Sequence, residues 1–168
     1  MLCSCAQQKE MTITDYVNPL LGTATLWKTE DLGYERHQEK RTWGAEAFPG
    51  AALPNAMVQL TPVTMWRSGA GYQYEDTTIL GFAHTAMGHW NYIDLPIMPV
   101  TGVVDADNYA SSYSHANESA HPGYYQVYLD RYGVNAELTS TLHAGYHKYT
   151  FDEGVPKRLL INVAHNQN

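Results

Sequence analysis

The most regular alternation of apolar and polar positions lies near the end of the chain. Tyr125, Val127 and Leu129 alternate with Gln126, Tyr128 and Asp130, and Tyr132-Gly133 follows as a turn. Val134, Ala136, Leu138, Leu142, Ala144 and Tyr146 then share one face, opposite Asn135, Glu137, Thr139, Thr141, His143 and His147. A period of two held this long predicts one extended strand over 134–147, because a helix repeats every 3.6 residues. Asp152 to Pro156 supplies the next turn, and Leu159, Ile161 and Val163 open a further strand over 158–165. Upstream, Met57–Thr61 reads as a strand stopped by Pro62, Tyr72–Tyr74 alternates, and Thr78–Phe82 is another short strand. Leu95–Val104 is apolar but carries Pro96 and Pro99, which makes it an edge strand at best. Residues 11–56 are irregular, broken by Asn18-Pro19, Gly22, Gly33, Gly44, Phe48-Pro49-Gly50 and Leu53-Pro54-Asn55. Within them the charged run Thr29–Arg41 reads as a solvated loop or a short exposed helix. Short strands, closely spaced turns and no competing helical period together predict an all-β fold, an antiparallel β-sandwich.

The composition narrows the class. A chain of 168 residues is one domain or a piece of a larger protein. Ten Lys plus Arg against 17 Asp plus Glu give a net charge of −7, with no basic patch for nucleic acid. Charged residues at 16% and apolar residues at 44% favour collapse over disorder. No run of 18 apolar residues offers a membrane-spanning helix. The unusual counts are 13 Tyr, four Trp and eight His. Rings with a polar handle suit both a sheet core and a sugar-lined surface. Cys3 and Cys5 are too close in sequence to suit a disulfide, and no third Cys exists. Leu2-Cys3-Ser4-Cys5 looks like the end of a bacterial lipoprotein signal, with Cys5 as the lipidated residue and Ala6–Glu10 as a polar tether. The expected organisation is a signal remnant and tether over 1–13 and a β-sandwich over 14–168. An apolar strand beside the chain end leaves an unpaired edge, so the sandwich is expected to be incomplete at its C-terminus.

Local motifs name no reaction. Gly69-Ala70-Gly71 lacks the third glycine and following helix of a dinucleotide loop, and no P-loop, nucleophile elbow or HExxH is present. His84, His89 and Asp94 are a weak metal-ligand set, since histidines near aromatic residues are mostly hydrogen-bonded structure. His143 and His147, on one strand, would stand about 13 Å apart at roughly 3.3 Å per residue, too far to share an ion. Asn117-Glu118-Ser119 matches a glycosylation sequon, a pattern too short to carry weight. A glycosidase needs two carboxylates across one bond. The candidates Glu46, Glu75, Asp76, Asp94, Glu118 and Glu137 are not paired by spacing, and Glu75 and Asp76 would point to opposite faces.

The order of motifs says more. Asp15-Tyr16-Val17-Asn18-Pro19-Leu20-Leu21-Gly22-Thr23 opens the domain, followed by Phe48-Pro49-Gly50-Ala51 and Met57-Val58-Gln59-Leu60. Gly71-Tyr72-Gln73-Tyr74, Ile79-Leu80-Gly81-Phe82-Ala83-His84-Thr85 and Pro96-Ile97-Met98-Pro99 come next. Tyr113-Ser114-His115, Glu118-Ser119-Ala120, Pro122-Gly123-Tyr124-Tyr125, Ala136-Glu137-Leu138-Thr139 and His147-Lys148-Tyr149-Thr150-Phe151 complete the series. Over about residues 14–165 this resembles the N-terminal domain of glycoside hydrolase family 92, the calcium-dependent exo-acting α-mannosidases. The resemblance implies a β-sandwich (super-sandwich-like) packed on a C-terminal (α/α)₆ domain, with an inverting active site between them. It implies that the acid, the base and the calcium ligands come mainly from that C-terminal domain, which this chain lacks.

The resemblance also implies a mannose-containing glycan as partner and no catalytic residue or metal ligand within this chain; the Leu2–Cys5 pattern adds the expectation of an exported bacterial protein, a periplasmic or cell-surface lipoprotein. In the family, a small-residue, Gly-rich stretch commonly follows the His-Thr pair; here Ala86–Asp94 departs from it, which bears on linkage preference and on the mannosidase activity itself. Trp90 and Trp66 are the expected stacking platforms for sugar C–H faces, with Trp90 favoured, and His84 and Asn91 the expected hydrogen-bonding partners. The alternatives are a stand-alone carbohydrate-binding module without catalysis and a purely structural sandwich.

Overall fold

The structure, a computed structural model, describes residues 11–24, 47–64, 70–87 and 92–163. Its strands are β1 (Thr61–Val63), β2 (Thr78–Ile79), β3 (Gly81–Ala83), β4 (Thr85–Met87), β5 (Tyr92–Asp94) and β6 (Ile97–Thr101). They continue with β7 (Ser111–Ser112), β8 (Glu118–His121), β9 (Tyr124–Leu129), β10 (Val134–Ser140), β11 (Gly145–Phe151) and β12 (Lys157–Ile161). One sheet has the order β1-β3-β6-β12 and the other β11-β10-β9-β8, with β2–β7 and β4–β5 as two small ladders. Among the described residues all the strand pairings are antiparallel. Among the described residues the helical turns are short 3₁₀ segments such as Ile13–Tyr16. The all-β antiparallel sandwich expected from the pattern is the fold.

The alternation over 124–129 is realised: Tyr125, Val127 and Leu129 are buried while Tyr124, Gln126 and Tyr128 are partly exposed. Gly133 closes the turn with φ +61°, where a side chain is strained, and its N–H reaches the Leu129 carbonyl. Val134, Ala136 and Leu138 then meet Leu129, Val127 and Tyr125 across the ladder. With Phe82, Met98 and Val100 of the first sheet they form one core between the sheets.

Four expectations are corrected. The long strand over 134–147 is a hairpin, in which β10 and β11 face each other with Leu138 opposite His147. The hydroxyl oxygen of Thr141 accepts from the backbone N–H of Ala144, and Thr141 and Ala144 also bond through the backbone, so the chain reverses where side-chain parity suggests continuity. Pro62 does not stop a strand but sits inside β1, opposite Phe82. β1 is an edge strand, so a missing N–H is tolerated on its open side. β6 carries Pro99 yet lies between β3 and β12. Its pairing with β3 is limited to Phe82↔Ile97, which leaves one side of Pro99 outside any ladder. Tyr72–Tyr74 is a loop, with Tyr72 buried and Tyr74 exposed, and Gly71 before it has φ +77°.

Candidate functional site

The β4–β5 hairpin leaves the first sheet directly after β3 and returns directly before β6. Thr85 pairs with Asp94, Ala86 with Ile93 and Met87 with Tyr92. The root of the hairpin is held by two residues. His84 precedes the hairpin and Leu95 follows it, and Nδ1 of His84 lies 3.2 Å from the Leu95 carbonyl oxygen. Leu95 holds φ +48°, a conformation that side-chain-bearing residues adopt at a cost. The backbone carbonyl of His84 accepts from the N–H of Gln59 at 2.9 Å, which fixes the root to the segment before β1.

The other nitrogen of His84 faces the opposite sheet. Nε2 of His84 stands 3.1 Å from Nε2 of His147 in β11, and Nδ1 of His147 stands 2.7 Å from the Tyr149 hydroxyl. Burial, and then the neighbouring His84, lower the His147 imidazole to about 4. Burial pushes the Tyr149 phenol upward, so it remains protonated. The Tyr149 ring leans on Phe82 of β3, with centroids 6.2 Å apart, and joins the two sheets beneath the histidines.

A second cluster surrounds Glu118 at the start of β8. Its side chain is fully buried. The Tyr125 hydroxyl donates to Oε1 at 2.6 Å and the Tyr72 hydroxyl at 3.0 Å, while His115 Nδ1 lies 2.5 Å from Oε2. His115 Nε2 lies 2.6 Å from the Tyr74 carbonyl, and its ring stacks on Tyr74 with centroids 4.0 Å apart. Burial, then the charge of Glu118, pushes the Tyr72 and Tyr125 phenols well up, so both stay donors. A carboxylate enclosed by three donors has no face left for a substrate; it anchors the 72–74 loop to the second sheet.

The outer face of the second sheet carries an open groove of about 600 Å³ lined by Asn117, Glu118, Ser119, Gln126, Tyr128 and Asn135. The Gln126 amide donates to the Asn135 side-chain oxygen at 3.1 Å. Nearby, the Tyr124 hydroxyl lies 2.9 Å from Glu137 Oε1, and Lys148 donates to Glu137 Oε2 at 2.6 Å.

Of the residues expected from sequence to form a site, His84 is described, and both its ring nitrogens are already partnered. Trp66, Trp90, Asn91 and Cys5 lie outside the described residues, as do His89 and Glu46. His143 sits in the turn after β10, and the histidine that meets His147 is His84, from the other sheet. Sequence reasoning misses His147, Tyr149 and the cage around Glu118 as partners. The one cue is the abundance of Tyr and His, which gives no pairing.

Residues 16–168 match the family model described as the glycosyl hydrolase family 92 N-terminal domain. The solved family GH92 α-mannosidase BT3965 from Bacteroides thetaiotaomicron, in complex with mannoimidazole, is 32% identical with TM-score 0.73. That likeness covers 88% of this chain and 19% of that one. The GH92 inverting mannosidase BT2199 from the same organism is 25% identical with TM-score 0.71, over 92% of this chain and 20% of that one. A protein of Arthroderma benhamiae described as an uncharacterized secreted glycosidase is 27% identical, over 87% of this chain and 18% of its own length. The chain thus spans about a fifth of the length of these relatives.

Proposed function

The chain belongs to glycoside hydrolase family 92, in the region of that family's N-terminal domain, and we propose that it forms the sandwich side of an exo-acting, inverting α-mannosidase. The observation that carries this reading is the likeness, across 88% of the chain, to an α-mannosidase solved with mannoimidazole. On this reading the substrate is a mannose-containing glycan, held between the sandwich and a C-terminal (α/α)₆ domain that supplies the acid and the base. An inverting pair stands roughly 6.5–9.5 Å apart to admit a water. The sandwich contributes sugar contacts rather than proton transfer, since Glu118 is enclosed by donors and Glu137 is engaged by Lys148 and Tyr124.

The β4–β5 hairpin is the proposed contact element. Trp90 and Asn91 fall between its two strands in sequence, and Trp66 joins them as a second platform. His84 serves by fixing the hairpin root, because both its nitrogens are engaged there. Calcium, which the family uses, takes six to eight oxygen ligands. Among the described residues no group of three or more His, Cys, Asp or Glu could hold a metal, so they do not fit it, and its ligands are proposed to lie in the C-terminal domain. The fungal relative is described as secreted, which supports export; lipidation at Cys5 is the proposed anchor, tested by mass spectrometry of the membrane fraction.

The test compares this chain with the same chain joined to the remaining length of a family 92 enzyme, on an aryl α-mannoside. Turnover by the joined protein and none by the chain alone is expected; turnover by the purified chain contradicts the division of labour. A second reading, a carbohydrate-binding module without catalysis, draws on the outer groove, where Asn117, Gln126, Asn135 and Tyr128 give a hydrogen-bonding lining. Mannose-oligosaccharide binding lost in Tyr128→Ala but kept in Trp90→Ala would favour it.

A further inference from the structure

With both histidines neutral, the contacts at the root of the β4–β5 hairpin admit one arrangement of protons. The Leu95 carbonyl can only accept, so Nδ1 of His84, 3.2 Å away, carries its ring proton there. His84 Nε2 is then bare, and Nε2 of His147, 3.1 Å away, donates to it. That leaves Nδ1 of His147 as an acceptor, which the Tyr149 hydroxyl fills at 2.7 Å. Burial pushes the Tyr149 phenol upward, so the donor at this end is kept. Three side chains thus form a directed chain of hydrogen bonds. It runs from β11 to the carbonyl of Leu95, which follows β5 and holds φ +48°. Among the described residues the hairpin is a two-stranded ladder of its own, paired with neither four-stranded sheet, which gives weight to the side-chain contacts at its root.

We propose that His147 and Tyr149 are positioning residues for the β4–β5 hairpin, acting through His84 to hold the Leu95 carbonyl at its root. The chain also sets what acid does. One added proton, on His84 Nε2, reverses the chain: His84 donates to His147 Nε2, and His147 Nδ1 donates to the Tyr149 oxygen. A second proton sets two N–H groups face to face across 3.1 Å, and the contact opens. Burial, then the neighbouring His84, lower His147 to about 4, which places the opening in acid. Among the described side chains the titratable group that faces the two histidines is Tyr149, and no carboxylate completes a group of three with them. The chain stands without the glycan reading; its effect on turnover rests on that reading of the hairpin as the sugar contact.

The experiment reads the whole chain, labelled with ¹⁵N, by long-range ¹H–¹⁵N spectra of the histidine rings at pH 8. Opposite tautomers are expected, with the proton on Nδ1 in His84 and on Nε2 in His147; the same tautomer in both rings overturns the chain. Tyr149→Phe keeps a ring beside Phe82 and removes the terminal donor. It is expected to shift the backbone amide signals of residues 85–95 and to release the tautomer preference of His147, whereas Tyr124→Phe in β9 leaves both unchanged. Hairpin signals that stay put in folded Tyr149→Phe overturn the positioning role. If that variant folds poorly, the parent decides: its hairpin signals are expected to move together as pH falls through about 4, and signals unchanged down to pH 3 overturn the proposal. In this chain joined to the remaining length of a family 92 enzyme, Tyr149→Phe is expected to raise KM on an aryl α-mannoside about threefold or more, with kcat within about twofold. An unchanged KM beside shifted hairpin signals supports the positioning of the hairpin and contradicts its contact with sugar.

Discussion

Glu118 shows how one residue can decide a loop. Its buried carboxylate gathers Tyr72 and His115 from outside the sheet and Tyr125 from within it. Removing one side of a buried charged network leaves the other side unpaired, which costs about 3–5 kcal/mol. Glu118→Ala is therefore expected to lose about that much in urea denaturation, and Glu118→Gln about 2 kcal/mol, because the amide oxygen still accepts. A loss under about 1 kcal/mol for Glu118→Ala would show the network to be dispensable. Gly50, inside the Phe48–Ala51 motif, has a different task. A Cβ there would overlap the Leu60 carbonyl, beside the bridge that Ala51 forms with Leu60. Gly50→Ala is expected to cost about 3 kcal/mol or more, seen as a fall in Tm with no change of sheet signal in the surviving folded fraction. Such roles are not legible in the sequence. Tyr72 lies 46 residues from Glu118, and His84 lies 63 residues from His147, so no local spacing relates them.

At the scale of elements the sequence is legible where side-chain parity and burial coincide. The alternation marks β9 faithfully because Tyr125, Val127 and Leu129 face the core without a break. The β10–β11 hairpin mimics one strand because Leu142, Ala144 and Tyr146 continue the even-numbered apolar positions in sequence, although the turn brings odd-numbered His147, Tyr149 and Phe151 to the inward face of β11 and leaves Tyr146 exposed. Prolines mislead in the opposite sense: Pro62 and Pro99 suggest limits but lie within strands that have an open side. The same ladder carries a pH dependence. Hydrogen bonds from Lys148, then from Tyr124, hold the Glu137 carboxyl below its usual 4.5. A lowered folded value means stability is fully present above about 4.5 and is lost as pH falls through the folded value. Lys148 is 71% exposed, so solvent screens the pair and the effect is a fraction of a kcal/mol. Melting curves between pH 6 and pH 3 are expected to show a shallower acid decline in Glu137→Gln than in the parent. Parallel declines would mean that the pair contributes nothing measurable.

Among the described residues, apolar surface is exposed on β11 and β12, one end strand of each four-stranded sheet. Tyr146 of β11 is 57% exposed, and Leu159 and Ile161 of β12 are 56% and 52% exposed. Both strands are sheet edges, where unpaired backbone and apolar side chains invite a partner. The purified chain is expected to associate as its concentration rises, and Leu159→Ser with Ile161→Ser to reduce it; a monomer at all concentrations in sedimentation would contradict this. The family is legible from motif order, and the sheets explain part of that order: Gly50 is needed for close approach, Gly71 for a turn, and Tyr72, Tyr125 and Phe82 for the core. The sugar-facing side is not legible from physics alone, since stacking residues and core residues share one composition. The most direct test joins this chain to the remaining length of a family 92 enzyme and compares kcat/KM on an α-mannoside for the parent and Trp90→Ala. A loss of about tenfold or more at unchanged Tm is the result expected of a hairpin that faces the sugar. Full activity in Trp90→Ala, or a loss explained entirely by unfolding, would contradict it.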